Sequence, residues 1–417
     1  MVKQAPEQEE AFGAAPHERP VPRISIDAFV EFPDTGAALQ RAGSDRRLAK
    51  AHLSVQLGGI NAAVEHFQGK VTPNLLVVET RLNGQAALEE LDRLAEVCDP
   101  SSKVIVVGRV NDVELYRELM RRGASEYLVA PLNPLHLIEV ISGLYTDPEA
   151  APIGRVVTFI GSRGGAGSSS LSHNVGWCIA EELRINTTIV DLDLPFGTTG
   201  LDFNDEPSQG VADALSAPER LDDVLLDRLL VKRGEHLSIF STAAMIDRDY
   251  EAPADAYESV LDAVRQSTPC VIVDVPHLWT PWVKSTLIAA DDIVLVATPD
   301  LASLRNTKNM VEILRQSRPN DSPPRLVLNQ VGVAKRPEIP VKDFAETIGI
   351  EPALVMNFEP QLFGQAANNG QMLNELAPKS TAAGGIRRLA ELVTGRVPQP
   401  LQKSSSLLSF FAGKKRA

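Results

Sequence analysis

Residues 161–170 read Gly-Ser-Arg-Gly-Gly-Ala-Gly-Ser-Ser-Ser, and they constrain this chain more than any other stretch of it. They follow a short apolar run, residues 155–160, and lead into a segment with helical periodicity, residues 170–183. Glycines in such a bend let backbone N–H groups curl around an anion, and the first turn of the helix adds its partial positive charge. The hydroxyls of Ser168, Ser169 and Ser170 suit phosphate oxygens, with Ser169 at the position suited to Mg²⁺. Taken alone, the same residues also read as an ordinary Gly/Ser-rich turn. Their place between a strand and a helix makes phosphate binding the stronger reading.

The rest of the chain is consistent with a strand–loop–helix unit of this kind. Runs rich in Val, Ile and Leu at 187–192, 237–241, 270–275, 293–298 and 325–330 have the near-continuous apolar character of strands buried on both faces. Helical intervals at 257–266 and 303–316 separate them. A similar alternation precedes the loop, with strands expected at 23–29, 75–79, 104–107 and 126–129 and helices at 86–97 and 113–122. The expected fold class is therefore α/β, with two doubly wound domains. At 417 residues the chain is too long for one ordinary core. The boundaries expected are a tail at 1–21, a first domain at 22–145, a linker at 146–154 containing Asp-Pro and Ala-Pro, a second domain at 155–396 and a tail at 397–417.

Composition removes several classes. A formal charge of −13 argues against a surface that coats DNA in general, so no specific nucleic acid is expected. Cys98, Cys178 and Cys270 lie far apart and read as buried thiols of a reducing compartment. The first 22 residues have no apolar core of the secretory kind, and no 18-residue apolar run exists, which leaves surface attachment to a membrane but not spanning.

The loop resembles the deviant Walker A loop of the ParA/MinD superfamily, Lys-Gly-Gly-x-Gly-Lys-[Thr/Ser], and later motifs follow in that superfamily's order. Residues 189–197, Ile-Val-Asp-Leu-Asp-Leu-Pro-Phe-Gly, resemble its second motif. Residues 271–276, Val-Ile-Val-Asp-Val-Pro, resemble its Walker B strand, and Thr298-Pro299-Asp300 and Leu328-Asn329-Gln330 resemble the ends of the next two strands. Asn357-Phe358-Glu359-Pro360 resembles the closing loop on the base side. The resemblance implies ATP and Mg²⁺ as cofactors. Arg163, Gly164, Gly165, Ala166, Gly167, Ser168, Ser169 and Ser170 would line the phosphates, Ser169 and Asp274 would hold the metal, and Asp193 would orient water near the γ-phosphate. Asn329 has two readings, adenine recognition or a bond to loop backbone, and Pro360 belongs to the base side. Asp191 reads as a turn or cap residue.

Departures from the pattern bear on chemistry. Ser168 replaces the superfamily's P-loop lysine, and Arg163 replaces its signature lysine. Arginine keeps a charge able to grip phosphate with two N–H groups, whereas serine keeps only a hydrogen bond. One cation aimed at developing phosphoryl charge is worth roughly 10³ to 10⁵ in rate, while binding draws on many backbone donors. Retained nucleotide binding with slow or absent hydrolysis is the expectation.

Residues 123–131, Gly-Ala-Ser-Glu-Tyr-Leu-Val-Ala-Pro, resemble the last strand of response-regulator receivers. The receiver lysine position is Ala130, the hydroxyl position is near Gly108 and the phospho-acceptor position is Glu79, so phosphorylation is not expected. Glu79 reads either as a mimic of a charged state or as a strand-end surface residue. A receiver-like domain without its chemistry, joined to a ParA/MinD-like domain without its loop lysine, resembles the TadZ/CpaE family of tight-adherence (Flp type IVb) pilus systems. That resemblance implies an ATP-binding factor that positions pilus assembly machinery, with a homodimer and pilus or secretion assembly proteins as partners. The expected location is cytoplasmic, with peripheral contact at the inner membrane face or a cell pole. Residues 404–417 carry two apolar pairs beside three cations and read either as a short interfacial anchor or as a solvated tail. Two other functions stay open: a true ATPase partitioning DNA or cargo, and a nucleotide-free scaffold.

Overall fold

A computed structural model describes residues 21–146, 153–205, 207, 209–242 and 252–395. The C-terminal tail, including 404–417, lies outside these residues, as do residues 1–20 and most of the expected linker. Val21, assigned to the N-terminal tail, is buried, and its N–H donates to Arg47 O (3.0 Å).

The first half is a five-stranded parallel sheet of β1 (Ser25–Val30), β2 (His52–Leu57), β3 (Leu75–Glu79), β4 (Lys103–Gly108) and β5 (Glu126–Val129). Its order is β2-β1-β3-β4-β5, the flavodoxin-like order. Helices Pro33–Gly43 and Pro134–Tyr145 cover one face through Leu39, Ile138 and Ile141. Helices Gly59–Phe67, Gly84–Ala95 and Val113–Arg121 cover the other through Ile60, Leu91 and Leu119.

The second half is an eight-stranded sheet of β6 (Arg155–Gly161), β7 (Thr187–Asp191), β8 (Val231–Arg233), β9 (Leu237–Phe240), β10 (Cys270–Val275), β11 (Asp292–Ala297), β12 (Arg325–Val331) and β13 (Pro352–Asn357). The order is β13-β12-β11-β6-β10-β7-β9-β8, parallel except at the β8–β9 edge. Strands β6, β10 and β11 are buried almost throughout, as their near-continuous apolar runs require.

Three strands escape the sequence reading, and all three lie at sheet edges. Strand β2 carries His52, Ser54 and Gln56 with no fully buried residue, β8 has three residues, and β13 starts at a proline. Of the cysteines, Cys178 and Cys270 are buried, but Cys98 is only half-buried.

The two halves meet through charge. Arg46 and Arg47, in the turn Arg46–Leu48, reach Asp321 at 2.8 and 2.7 Å, and Arg46 also reaches Asp291 at 3.4 Å. Arg318 shares Asp321 at 2.8 Å, and Asn320 donates to Asp45 at 2.9 Å. Asp291 and Asp321 precede β11 and β12, so the first half docks on the amino-terminal ends of those strands. The carboxyl-terminal ends, where the Gly-rich loop lies, are left uncovered by this contact.

Glu79 is not a surface residue. It is fully buried at the end of β3, where it accepts hydrogen bonds from Glu31 N (2.8 Å), Phe32 N (3.0 Å) and Thr35 Oγ1 (2.8 Å), with Arg109 at 3.8 Å. The carboxylate ties the β1 exit to the next helix, and the Tyr127 ring fills the space beside Gly108. Glu79→Ala is expected to destabilise the first half by on the order of 3 kcal/mol, because one buried and two partly buried donors lose their acceptor. Glu79→Gln should cost less, since an amide oxygen remains, and denaturant unfolding of both variants measures the difference.

Candidate functional site

Strand β6 sits at the switch point of the second sheet. From it the chain runs to β7 on one side, and after β10 it crosses to β11 on the other, which opens a crevice at the carboxyl ends of the strands. Residues 161–167 turn in this crevice before the helix Ser168–Glu181 begins. Gly165 and Gly167 hold φ of 76° and 90°. At Gly167 a side chain would also collide with the Asn329 amide, so both conformation and space require glycine.

Side chains from neighbouring elements pin the loop by its carbonyls. His277 Nδ1–H donates to Gly161 O (2.9 Å), and Asn306 Nδ2 donates to Ser162 O (2.8 Å). Gln330 Nε2 and Asn329 Nδ2 donate to Gly165 O and Ala166 O, each at 2.9 Å. Gln330 holds its grip from a left-handed backbone, φ 54°. Four fixed carbonyls leave the loop preorganised, as an anion cradle must be. In this structure Asn329 makes the loop-backbone bond of its two readings.

Arg163 and Gly164 are exposed, and the Arg163 guanidinium pairs with Asp300 at 3.2 Å. Burial would raise the Asp300 pKa, but hydrogen bonds from Thr298 and Ser303 and the Arg163 charge hold it below the usual range. Asp300 also caps the helix Leu301–Ser317 through Ser303 N, which fixes the arginine's partner in place. Pro360 is exposed and opens the helix Pro360–Asn369 after edge strand β13, three strands from β6.

Among the described residues, eight buried side-chain polar atoms have no hydrogen-bond partner, and three of them, Ser162 Oγ, Ser168 Oγ and Asp274 Oδ1, belong to this site. Buried polar atoms rarely stay unpaired, and two of these belong to the loop and one to the Walker B-like strand. The donor set, with the Ser169 hydroxyl and the Asp274 carboxylate as hard oxygen ligands, fits Mg²⁺ held beside a phosphate. Burial raises the Asp274 pKa, with the His173 charge and the Ser169 hydroxyl opposing it. Asp193 is half-buried after β7 and accepts from Phe196 N (3.2 Å), and burial raises its pKa as well. Asp191 closes the same turn, accepting from Asp193 N (3.0 Å) and from Thr199 Oγ1 (2.6 Å).

Five groups in the site, His173 among them, are absent from the sequence reading. His173, on the helix that follows the loop, is fully buried and lies 3.7 Å from Asp274 Oδ2, 2.7 Å from Asp202 Oδ2 and 2.8 Å from Thr199 Oγ1. Burial acts to lower its pKa, and the hydrogen bond to Asp202 with the charges of Asp274, Asp202 and Asp191 outweighs it, so the net shift is upward. A histidine inside an otherwise buried helical face was the one available signal. Thr199, Asp202, His277 and Asn306 carry none.

None of the protein-family models compared with the chain matches it. A pilus assembly protein CpaE from Caulobacter crescentus CB15 is 50% identical over 98% of its own chain and 31% of this one, with a TM-score of 0.30. A putative CpaE2 pilus assembly protein from Sinorhizobium meliloti 1021 is 36% identical over 99% of its chain and 29% of this one, TM-score 0.29. The septum site-determining protein MinD complexed with Mg-ADP from Pyrococcus horikoshii OT3 is 19% identical over 96% of its chain and 58% of this one, TM-score 0.52, which is a likeness of fold.

Proposed function

The chain belongs to the CpaE-type ParA/MinD superfamily, and from that premise we propose that it is a pilus-assembly factor that binds ATP with Mg²⁺ and pairs with a second copy. The observation that carries the nucleotide half is the set of buried, unpartnered oxygens of Ser162, Ser168 and Asp274 around a loop whose carbonyls are already pinned. In this reading the loop amides and the Ser168, Ser169 and Ser170 hydroxyls hold phosphates, and Ser169 with Asp274 holds the metal. Arg163 supplies the exposed cation at the mouth. Bound Mg²⁺ would contribute charge neutralisation of the phosphates. Asp193, held by Phe196 N, is the carboxylate available to orient water.

Pairing is supported by what surrounds that mouth. Phe196 and Leu201 follow β7, Leu278 and Trp279 follow β10, Leu301 follows β11 and Phe358 follows β13, all exposed, Leu301 by 74%. An apolar rim around a polar site is the composition of an interface. Its place on the crevice side, opposite the docked first half, suits a second copy facing the same nucleotide site. Among the described residues no helix is long and apolar enough to cross a membrane.

Purified protein, denatured to release bound nucleotide and mixed in parallel with ATP and Mg²⁺, tests the reading. Near-stoichiometric ATP or ADP, with turnover far below that of an intact ParA-type ATPase, is the expected result. An empty site that takes up no nucleotide would return the protein to the scaffold class. Turnover at the intact rate, abolished by Asp193→Ala, would overturn the role given to Ser168.

A further inference from the structure

His173 occupies an unusual position for a chain whose loop lysine is a serine. It sits on the helix that starts at Ser168, five residues further on, enclosed by Asp191, Asp202 and Asp274. Its ring is held at both nitrogens. Thr199 Oγ1, whose hydroxyl donates to Asp191 Oδ2 at 2.6 Å, lies 2.8 Å from His173 Nε2, and Asp202 Oδ2 lies 2.7 Å from Nδ1. Asp274 Oδ2 stands 3.7 Å from Nε2.

Its partners lie on two different parts of the site. Asp274 is on the Walker B-like strand β10. Thr199 and Asp202 bound the short helix Thr199–Asp202, in the segment after β7 that exposes Phe196 and Leu201. Thr199 is fully buried and is held by Asp191 through both its N–H (3.2 Å) and its hydroxyl. The His173 imidazole is therefore the side chain through which the phosphate-loop helix, the Asp274 strand and the apolar segment share one network.

We propose that His173 is a positioning residue that couples the Asp274 end of the nucleotide site to residues 194–204, so that loading the site with metal and nucleotide sets the placement of Phe196 and Leu201. The proposal rests on the nucleotide reading given above. A divalent cation taken by Asp274 draws that carboxylate away from the His173 ring, which stands 3.7 Å from it, leaving His173 to Asp202 and Thr199. The network thus has different contacts in its loaded and empty states, which is what a ligand needs in order to shift a segment.

The test uses the full chain with Mg²⁺ and ATPγS, and reads two quantities: nucleotide affinity, and amide hydrogen exchange of the peptide 194–204 with and without ligand. In the wild type, Mg²⁺–ATPγS is expected to slow exchange in 194–204 by about tenfold or more. His173→Gln, which cannot reach Asp202 and Thr199 together as the ring does, should keep affinity within roughly threefold while losing that ligand-dependent change. Asp202→Asn removes one anchor from the partly exposed end of the network and should uncouple in the same way, which covers the case of a His173 variant that does not fold. A slowing that persists in both variants with nucleotide bound overturns the proposal. Absence of nucleotide binding in the wild type overturns instead the reading on which it stands.

Discussion

Asp321→Ala is expected to cost the folded chain about 3–5 kcal/mol, the scale for removing one partner from a buried ionic network. Asp321 receives Arg46, Arg47 and Arg318, and its side chain is 7% exposed. With the carboxylate gone, Arg318 keeps Leu287 O, Arg46 keeps Ala289 O and Asp291, and Arg47 keeps Asp45, but all three guanidiniums lose the charge they share. Denaturant unfolding at neutral pH measures the loss, and limited proteolysis should show the two halves separating first. A loss under 1 kcal/mol would mean that Asp291 and Asp45 suffice. The same residue sets an acid limit. Burial would raise the Asp321 pKa, but Arg46, Arg318 and Arg47 hold it below the usual carboxylate range. A folded-state pKa below the unfolded value of about 3.9 means that the contribution is complete above that value and is lost as pH falls below it toward the folded one. The wild type should therefore lose stability below about pH 4 more steeply than Asp321→Ala does.

This latch also shows what the sequence could not announce. Arg46, Arg47 and Asp321 stand some 275 residues apart, in turns with no periodicity and no motif. Strands β6, β10 and β11 were legible because burial on both faces leaves only apolar residues between two turns. Three of the four edge strands, β2, β8 and β13, were not, because one free side relaxes that demand, while β5 at the fourth edge still buries Tyr127 and Leu128. The phosphate loop was legible for a local reason: its glycines answer to φ and to close approach within ten residues. The groups that hold it, His277, Asn306, Asn329 and Gln330, come from three other elements, and of these the motif resemblance reached only Asn329 and Gln330. Glu79 was read with the right strand end and the wrong surroundings, since no residue near it in sequence tells that Glu31 N, Phe32 N and Thr35 converge there.

Asp274→Asn is expected to move two readouts in opposite directions. The amide keeps the volume and one oxygen of the carboxylate but not its charge, so Mg²⁺-dependent enhancement of ATP binding should fall by on the order of a hundredfold, the several kcal/mol that metal charge contributes at such a site. Stability without nucleotide should hold or rise. Asp274 is buried, its Oδ1 has no partner, and its folded-state pKa is shifted upward chiefly by burial. For a carboxyl group raised in this way, the penalty on the fold is absent below the unfolded pKa and grows as pH rises toward the folded one; at neutral pH the asparagine escapes it. Titration calorimetry with ATP in the presence and absence of Mg²⁺, beside thermal unfolding of the ligand-free protein, separates the two effects. If the variant binds Mg²⁺–ATP like the wild type, Asp274 is not the metal-side carboxylate. If instead the ligand-free variant loses more than about 2 kcal/mol, the chief task of Asp274 is to face His173, 3.7 Å away, as a counter-charge.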